Sequence, residues 1–413
     1  MNIGYACLTL GVPDTQMKSL RLSGAAPDKL AAVIAHNLRA LEAQLAYNIR
    51  SGIKLFRISS DIIPFASHPQ VRFDWCGEFE TQLKALGGMI AQSGMRVSMH
   101  PGQYTVLNAR DADVAARAVE DLAYHAGFLD ALGTGSAHKI VLHIGGVYND
   151  KKQSLQRFKT HFSYLDDSVR HRLVIENDDR HFHIGDVLDT ASALGIPAVF
   201  DNLHHLVNSC GGTDAQWIAT CRPTWTDSRQ KIHYSQQSAD KRPGAHSPTV
   251  RVRELLNFCG ALPDRNIDVM LEVKDKNLSA VKCLLCTAEK KEISRLENEW
   301  SRYKYLVLEH DPRGYQQIRQ LLKNKSAYPA AEFYEIVEQA LTQPFSFGHA
   351  QNAAMHVWGY FKDIADAKEK ALFEKLSQTA DEESLKRAKR LLCKLAYKYN
   401  SEYLKASYYF LDI

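Results

Sequence analysis

Six short apolar runs in this chain each stop on a side chain able to bind a metal. They read VSMH (His100), VLH (His143), LVIE (Glu176), AVFD (Asp201), KIH (His233) and VMLE (Glu272). Runs this short and β-branched fit parallel strands buried on both faces. Helical patterns separate them, and alternating strands and helices give a parallel sheet. If that sheet closes into a barrel, every strand delivers its C-terminal residue to one rim, where such folds build their sites. An open, doubly wound sheet is the competing arrangement. It would not bring all these strand ends to one ring.

Eight strands are expected in all, at Ile3–Leu8, Leu55–Ser59, Arg96–His100, Lys139–His143, Leu173–Glu176, Ala198–Asp201, Lys231–His233 and Asp268–Glu272. Helices are expected at Pro27–Ser51, Glu78–Gly94, Ala112–Leu132, Leu155–Arg170, Val187–Leu194, Ala215–Cys221, Val250–Cys259 and Leu278–Thr287. Eight strand–helix pairs in about 290 residues match an α/β fold, the (β/α)8 TIM barrel. Right-handed crossovers leave few other topologies. After the charged run Ala288–Glu292 the pattern turns helical, with Pro329 and Pro344 as breaks. Residues 1–290 are therefore expected to form the barrel, and 291–413 a C-terminal all-helical domain. Tyr305–Glu309 reads equally as strand or helix.

The chain has 413 residues, 45% of them hydrophobic, enough for a barrel core and a second smaller core. A mean hydropathy of −0.31 describes a soluble protein. No apolar run is long enough to span a bilayer. The start, MNIGYACLTL, lacks a basic n-region, so a cytoplasmic location is expected. The eight cysteines read as free thiols of a reducing compartment, and the Cys283–Cys286 pair lacks the second pair of a zinc site. A net charge of +4 neither demands nor excludes nucleic acid. Local charge says more. Lys241, Arg242, Arg251 and Arg253 surround His246, and Lys274 and Lys276 follow Glu272. Cations beside a cation-binding rim fit a polyanionic substrate, or else solvated loop charge.

The imidazoles of His100, His143, His204, His233 and His246 and the carboxylates of Glu176, Asp201 and Glu272 form a mixed nitrogen and oxygen set. Such a set suits Mn²⁺, Zn²⁺ or Fe²⁺ better than Ca²⁺. Lys231 lies two residues before His233, on the same strand face. An ammonium beside cations is repelled, so Lys231 is expected to be neutral or carbamylated. His68, His181, His183 and His205 are expected to be structural. Two or three cations can acidify a water, hold a phosphate and neutralise a leaving oxygen. Phosphodiester hydrolysis needs all three effects; sugar isomerisation is the rival reaction. After the third strand, Pro101 and Gly102 turn the chain and Gln103 and Tyr104 project. An amide beside an aromatic ring can fill the gap left when bases leave a duplex. The other reading packs Tyr104 on the barrel top.

Nine segments, taken in order, resemble the ultraviolet damage endonuclease family over about the first 290 residues. They are Gly4–Leu10, Phe56–Pro69, Ser98–Asn108, Val141–Gly146, Ile175–Arg180, Phe200–His205, Lys231–Gln237, Gly244–Ser247 and Met270–Lys276. The resemblance implies a barrel similar to the endonuclease IV type. It implies a nick immediately 5′ to pyrimidine dimers and 6-4 photoproducts in double-stranded DNA, leaving 3′-hydroxyl and 5′-phosphate ends. It implies up to three divalent metals, typically Mn²⁺, with Zn²⁺ or Mg²⁺ as alternatives, and neither an organic cofactor nor a membrane. By motif, His100, His143, Glu176, Asp201, His204, His233, His246 and Glu272 match the family's metal ligands. Lys231 matches its carboxylated bridging lysine, and Glu272, Lys231 and His233 fall at the catalytic centre. Gln103 and Tyr104 match the pair that probes the helix opposite the lesion, and Tyr5 a residue near the flipped nucleotides. Arg251, Lys274 and Lys276 are candidate phosphate contacts. An abasic-site endonuclease is the neighbouring alternative, and a lesion-binding protein without cleavage another. One departure is Cys7-Leu8-Thr9, where the family commonly has an asparagine after the first strand. The tail resembles a bacterial domain of unassigned function through Asn352–Leu376 and Tyr403–Phe410. There His356 and Trp358 read as pocket or helix-core residues.

Overall fold

The structure is a computed structural model, and it describes residues 1–378 and 381–411. The chain forms two compact units. The first comprises Met1–Thr9, Pro13–Val250 and Asn257–Leu284; the second comprises Leu10–Val12, Arg251–Leu256 and Leu285–Ile413.

The first unit is a parallel barrel. Its strands are β1 (Asn2–Ala6), β2 (Leu55–Arg57), β3 (Arg96–Ser98), β4 (Ile140–His143), β5 (Leu173–Glu176), β6 (Ala198–Asp201), β7 (Lys231–Tyr234) and β8 (Asp268–Leu271). They neighbour one another in the order β3-β2-β1-β8-β7-β6-β5-β4. The circle closes where Met99 N donates to Lys139 O at 3.1 Å and Val141 N donates to Met99 O at 3.0 Å. The expected TIM barrel is the fold observed. All residues of β5, β6, β7 and β8 are buried, including the polar Glu176, Asp201, Lys231, His233 and Asp268. β1 and β2 approach so closely at Gly4 that a Cβ there would lie 2.0 Å from the Leu55 carbonyl oxygen. β3 and β8 stop at Ser98 and Leu271, so His100 and Glu272 stand just past the ladder.

The helices follow local signals. Pro27–Ser51 starts on proline and ends at Gly52, whose φ of 74° suits a residue without Cβ. Ala112–Ala131 is capped by Asp111, which accepts from Asp113 N at 2.9 Å and Val114 N at 3.0 Å. The span expected as one helix at Leu155–Arg170 is two, Lys151–Phe162 and Asp167–Arg172, because Asp166 turns extended and starts the second. A short helix, Asn202–Val207, was not expected. It begins directly after β6 and is capped by Asp201, which accepts from His204 N at 2.7 Å.

The second unit is helical, with Ile293–His310, Pro312–Leu321, Ala330–Leu341, Phe347–Trp358, Ala367–Gln378 and Glu382–Lys398 as its longer elements. Tyr305–Glu309 is helix. Tyr305, Val357, Phe361, Phe373 and Leu392 belong to its core. Trp358 stacks on Phe373 with ring centroids 4.3 Å apart, while His356 is exposed. Trp358 is thus a packing residue. Cys283 and Cys286 lie on the helix Asn277–Cys286 and are not joined in a disulfide.

Candidate metal centre

Glu176, the last residue of β5, is the hub of the barrel mouth. His233 Nδ1 on β7 lies 2.7 Å from its Oε1, within hydrogen-bond reach. His100 Nε2, past β3, lies 3.2 Å from Oε2. His143 Nε2 on β4 lies 3.7 Å from Oε2, and His204 Nδ1 lies 3.8 Å from Oε1. Glu272, past β8, reaches within 3.3 Å of His233 Nδ1. Ligand atoms fall within 4.8 Å of one another in three groups: His100, His143 and Glu176; Glu176, Asp201 and His204; Asp201, His233 and Glu272. Shared members join the groups into one cluster. His246 is half-buried beside the extended Gln237 and falls in none of the three.

The buried groups perturb one another strongly. Burial pushes the Glu176 carboxyl up, but His233 and His143 nearby and hydrogen bonds from His100 and His233 hold it well below the ordinary range. Burial raises Asp201. Burial lowers His204, yet Asp201, Glu176 and Glu272 together push it up to about 9. Burial takes His100 down to about 4. At this mouth, buried atoms of the candidate ligands and Lys231 lack a hydrogen-bond partner: His143 Nδ1, Asp201 Oδ2, His233 Nε2 and Lys231 Nζ. Native proteins rarely leave buried polar atoms unpaired. A divalent-metal centre fits the three carboxylates, the imidazoles and these orphaned atoms. Lys231 is buried on β7, and burial, with Arg96 and Arg57 nearby, lowers its amine to about 7.

One contributor carries no metal-ligand signature. Arg57, the last residue of β2, directs Nη1 onto Glu272 Oε1, and its Nε is buried without a partner. A search for imidazole and carboxylate at strand ends passes over it. The signal is its position, since KLFR ends like the six runs but on a cation.

Tyr104 is 80% exposed and Gln103 is exposed beside it. Two cavities border this loop. One, of about 740 Å³, is bordered by Arg57, His100, Tyr104, Arg117 and Glu272. The other, of about 650 Å³, is bordered by His100, Gln103, His143, Arg180 and Arg242. Lys274 is exposed, and a hydrogen bond and like charge from Lys241 lower its ammonium. Lys276 is half-buried and lowered first by that burial. Arg251 pairs with Glu254 within the second unit. Tyr5 lies elsewhere than a nucleotide contact requires. It is fully buried, its ring 5.1 Å from Phe56, its hydroxyl 2.6 Å from Thr9 Oγ1 and donating to Asn48 Oδ1 at 2.8 Å. Its hydrogen-bonding capacity is satisfied inside the protein, so Tyr5 props the turn after β1 instead of facing solvent. Thr9 is buried with it.

A closed parallel barrel with imidazoles and carboxylates gathered at its C-terminal mouth defines a metal-site TIM barrel. Residues 1–304 match the family described as UV-endonuclease UvdE, and the chain belongs to this family. It is 37% identical to the UV DNA damage endonuclease of Clostridium perfringens (strain 13 / Type A), over 99% of each chain. It is 32% identical to that of Bacillus cereus (strain B4264), over 61% of this chain and 81% of the other. The crystal structure of SacUVDE matches with a TM-score of 0.67 at 37% identity, covering 69% of this chain and 96% of that one. Residues 304–412 match a second family, a protein of unknown function, DUF1722. Among the described residues, no helix is long and apolar enough to cross a membrane.

Proposed function

We propose that this chain is a divalent-metal-dependent DNA repair endonuclease. It nicks the damaged strand of double-stranded DNA immediately 5′ to ultraviolet photoproducts and leaves 3′-hydroxyl and 5′-phosphate ends. The observation that carries this reading is the convergence of three overlapping ligand groups on one barrel mouth, in a chain of this family. Cations held there would acidify a water and neutralise charge on a phosphodiester.

The residues divide the work. His100, His143, Glu176, Asp201, His204, His233 and Glu272 would hold up to three cations, and the mixed donor set fits Mn²⁺. His246 joins them on the strength of its motif. Lys231 is buried, unpaired and lowered to about 7, so a neutral fraction is available to take up carbon dioxide. The carbamate would replace a repelled cation with an anionic ligand. Damage weakens pairing and stacking, which makes extrusion of the lesion less costly. Gln103 and Tyr104 would fill the gap it leaves. Lys274 and Lys276 would meet backbone phosphates, and Arg251 could do so only by leaving Glu254.

The test is a duplex carrying one defined photoproduct, incubated with the purified chain and Mn²⁺, with product ends mapped and metal content measured on the same sample. One nick 5′ to the lesion, with undamaged duplex intact, is expected. A fully metallated preparation that leaves the lesion duplex whole overturns the proposal.

A further inference from the structure

Arg57 is a permanent cation built into a site for cations. Its side chain is only 15% exposed and bonds Glu272, which belongs to a ligand group. Like charges at this range repel strongly where water is scarce, so its presence weakens metal binding. A structural role explains it poorly. Arg172, a structural arginine of the same barrel, uses all three side-chain nitrogens: Nε on Asp130 at 3.1 Å, Nη1 on Gly135 O at 2.6 Å and His138 O at 3.1 Å, and Nη2 on Asp130 and Thr134 O. Arg57, among the described residues, bonds through Nη1 alone, although a guanidinium offers five N–H donors. It also borders the 740 Å³ cavity, together with His100, Glu272 and Tyr104. A cation with donors to spare, between metal ligands and an open cavity, suits an incoming polyanion.

We propose that Arg57 is a catalytic residue that binds the scissile phosphodiester: its guanidinium, bonded to Glu272 through Nη1, offers its remaining N–H donors to the phosphate. This rests on the function proposed above. The guanidinium fork matches two phosphate oxygens, which an ammonium cannot do.

Full-length Arg57→Gln and Arg57→Lys test it, read by kcat on the lesion duplex, by calorimetric titration of Mn²⁺ without DNA, and by melting temperature. Arg57→Gln is expected to lose about 100-fold in kcat, the usual cost of one transition-state donor. Its Mn²⁺ affinity should be equal to or tighter than wild type. Arg57→Lys should keep full metal content and lose about tenfold in kcat, since charge is retained and the fork is not. If Arg57→Gln does not fold, Arg57→Lys carries the test. Wild-type kcat in either folded variant, or a loss of activity matched by a loss of Mn²⁺ affinity, overturns the proposal. A wild-type enzyme that fails to nick in the same assay defeats the proposed function instead.

Discussion

Glu272 stands between a guanidinium and an imidazole. Burial alone would raise its carboxyl, but Arg57 and His233 hold it below the ordinary range. Removing that charge strips a ligand and frees Arg57 together. Glu272→Gln should therefore cut nicking about 100-fold or more, while affinity for the irradiated duplex changes little. Normal cutting by this variant would show the cluster is misassigned. His204 makes a pH prediction. Its imidazole is raised from 6.5 to about 9 by Asp201, Glu176 and Glu272. The stabilisation from its charged form is complete below about 6.5 and is lost as pH rises through about 9. Cations must displace that proton. Mn²⁺ titrated into the metal-free protein at pH 7.5 should thus release protons, and the apparent affinity should climb toward pH 9. Equal heats in buffers of different ionisation enthalpy would contradict this. Single residues are legible unevenly. Imidazoles and carboxylates advertise themselves at strand ends, and seven of the eight expected (His100, His143, Glu176, Asp201, His204, His233 and Glu272) meet in the groups. Arg57 hides because its chemistry is the opposite of a ligand's. Tyr5 is less legible, because a motif match to a residue near the flipped nucleotides does not report its burial, and Thr9 and Asn48 satisfy its hydroxyl inside.

At the scale of elements, the helix Glu80–Ser93 holds two adjacent glycines with opposite expectations. A Cβ on Gly87 would lie 1.7 Å from the Leu132 carbonyl oxygen, so the helix must move to admit it. Gly88 has nothing within 4 Å of the same position. Gly87→Ala should destabilise the barrel by about 2 kcal/mol through overpacking. Gly88→Ala should stabilise it by roughly 0.5–1 kcal/mol by relieving backbone entropy. Denaturant midpoints decide, and equal effects would reject the close approach. The loop after β3 is the other element with a clear expectation. Tyr104→Ala should weaken binding of the irradiated duplex about tenfold, the worth of one stacked base, and leave metal content unchanged. Undiminished affinity would remove its wedge role. Elements are well legible here because periodicity reports burial. Every expected strand is present, with ends displaced by at most two residues. The helix Asn202–Val207 is hidden because its cap, Asp201, is also the end of β6 and a candidate ligand. One residue serving three purposes sends three overlapping signals. His183 is simpler. It caps the helix Ile184–Leu194 with Asp186 in a reciprocal pair, the structural role expected of it.

For the whole molecule, the division of labour should be visible in heat capacity. Every residue of the three ligand groups lies in the first unit, and no group among the described residues draws on the second. The helical unit has its own buried core around Tyr305, Val357 and Leu392. Its helices are legible from spacing, whereas packing patterns record burial and say little about a partner. A ligand that binds one unit stabilises that unit alone. Scanning calorimetry of the chelated full chain should show two transitions. Mn²⁺ at about a hundredfold excess over its dissociation constant adds roughly 2.7 kcal/mol to the barrel, a rise of about 5–10 °C for a unit of this size. The other transition should stay where it is. At pH 5 the shift should shrink, because His204 then keeps its proton against the cation. If Mn²⁺ moves both transitions equally, the units do not unfold independently. If it moves only the helical one, the cations bind outside the barrel mouth.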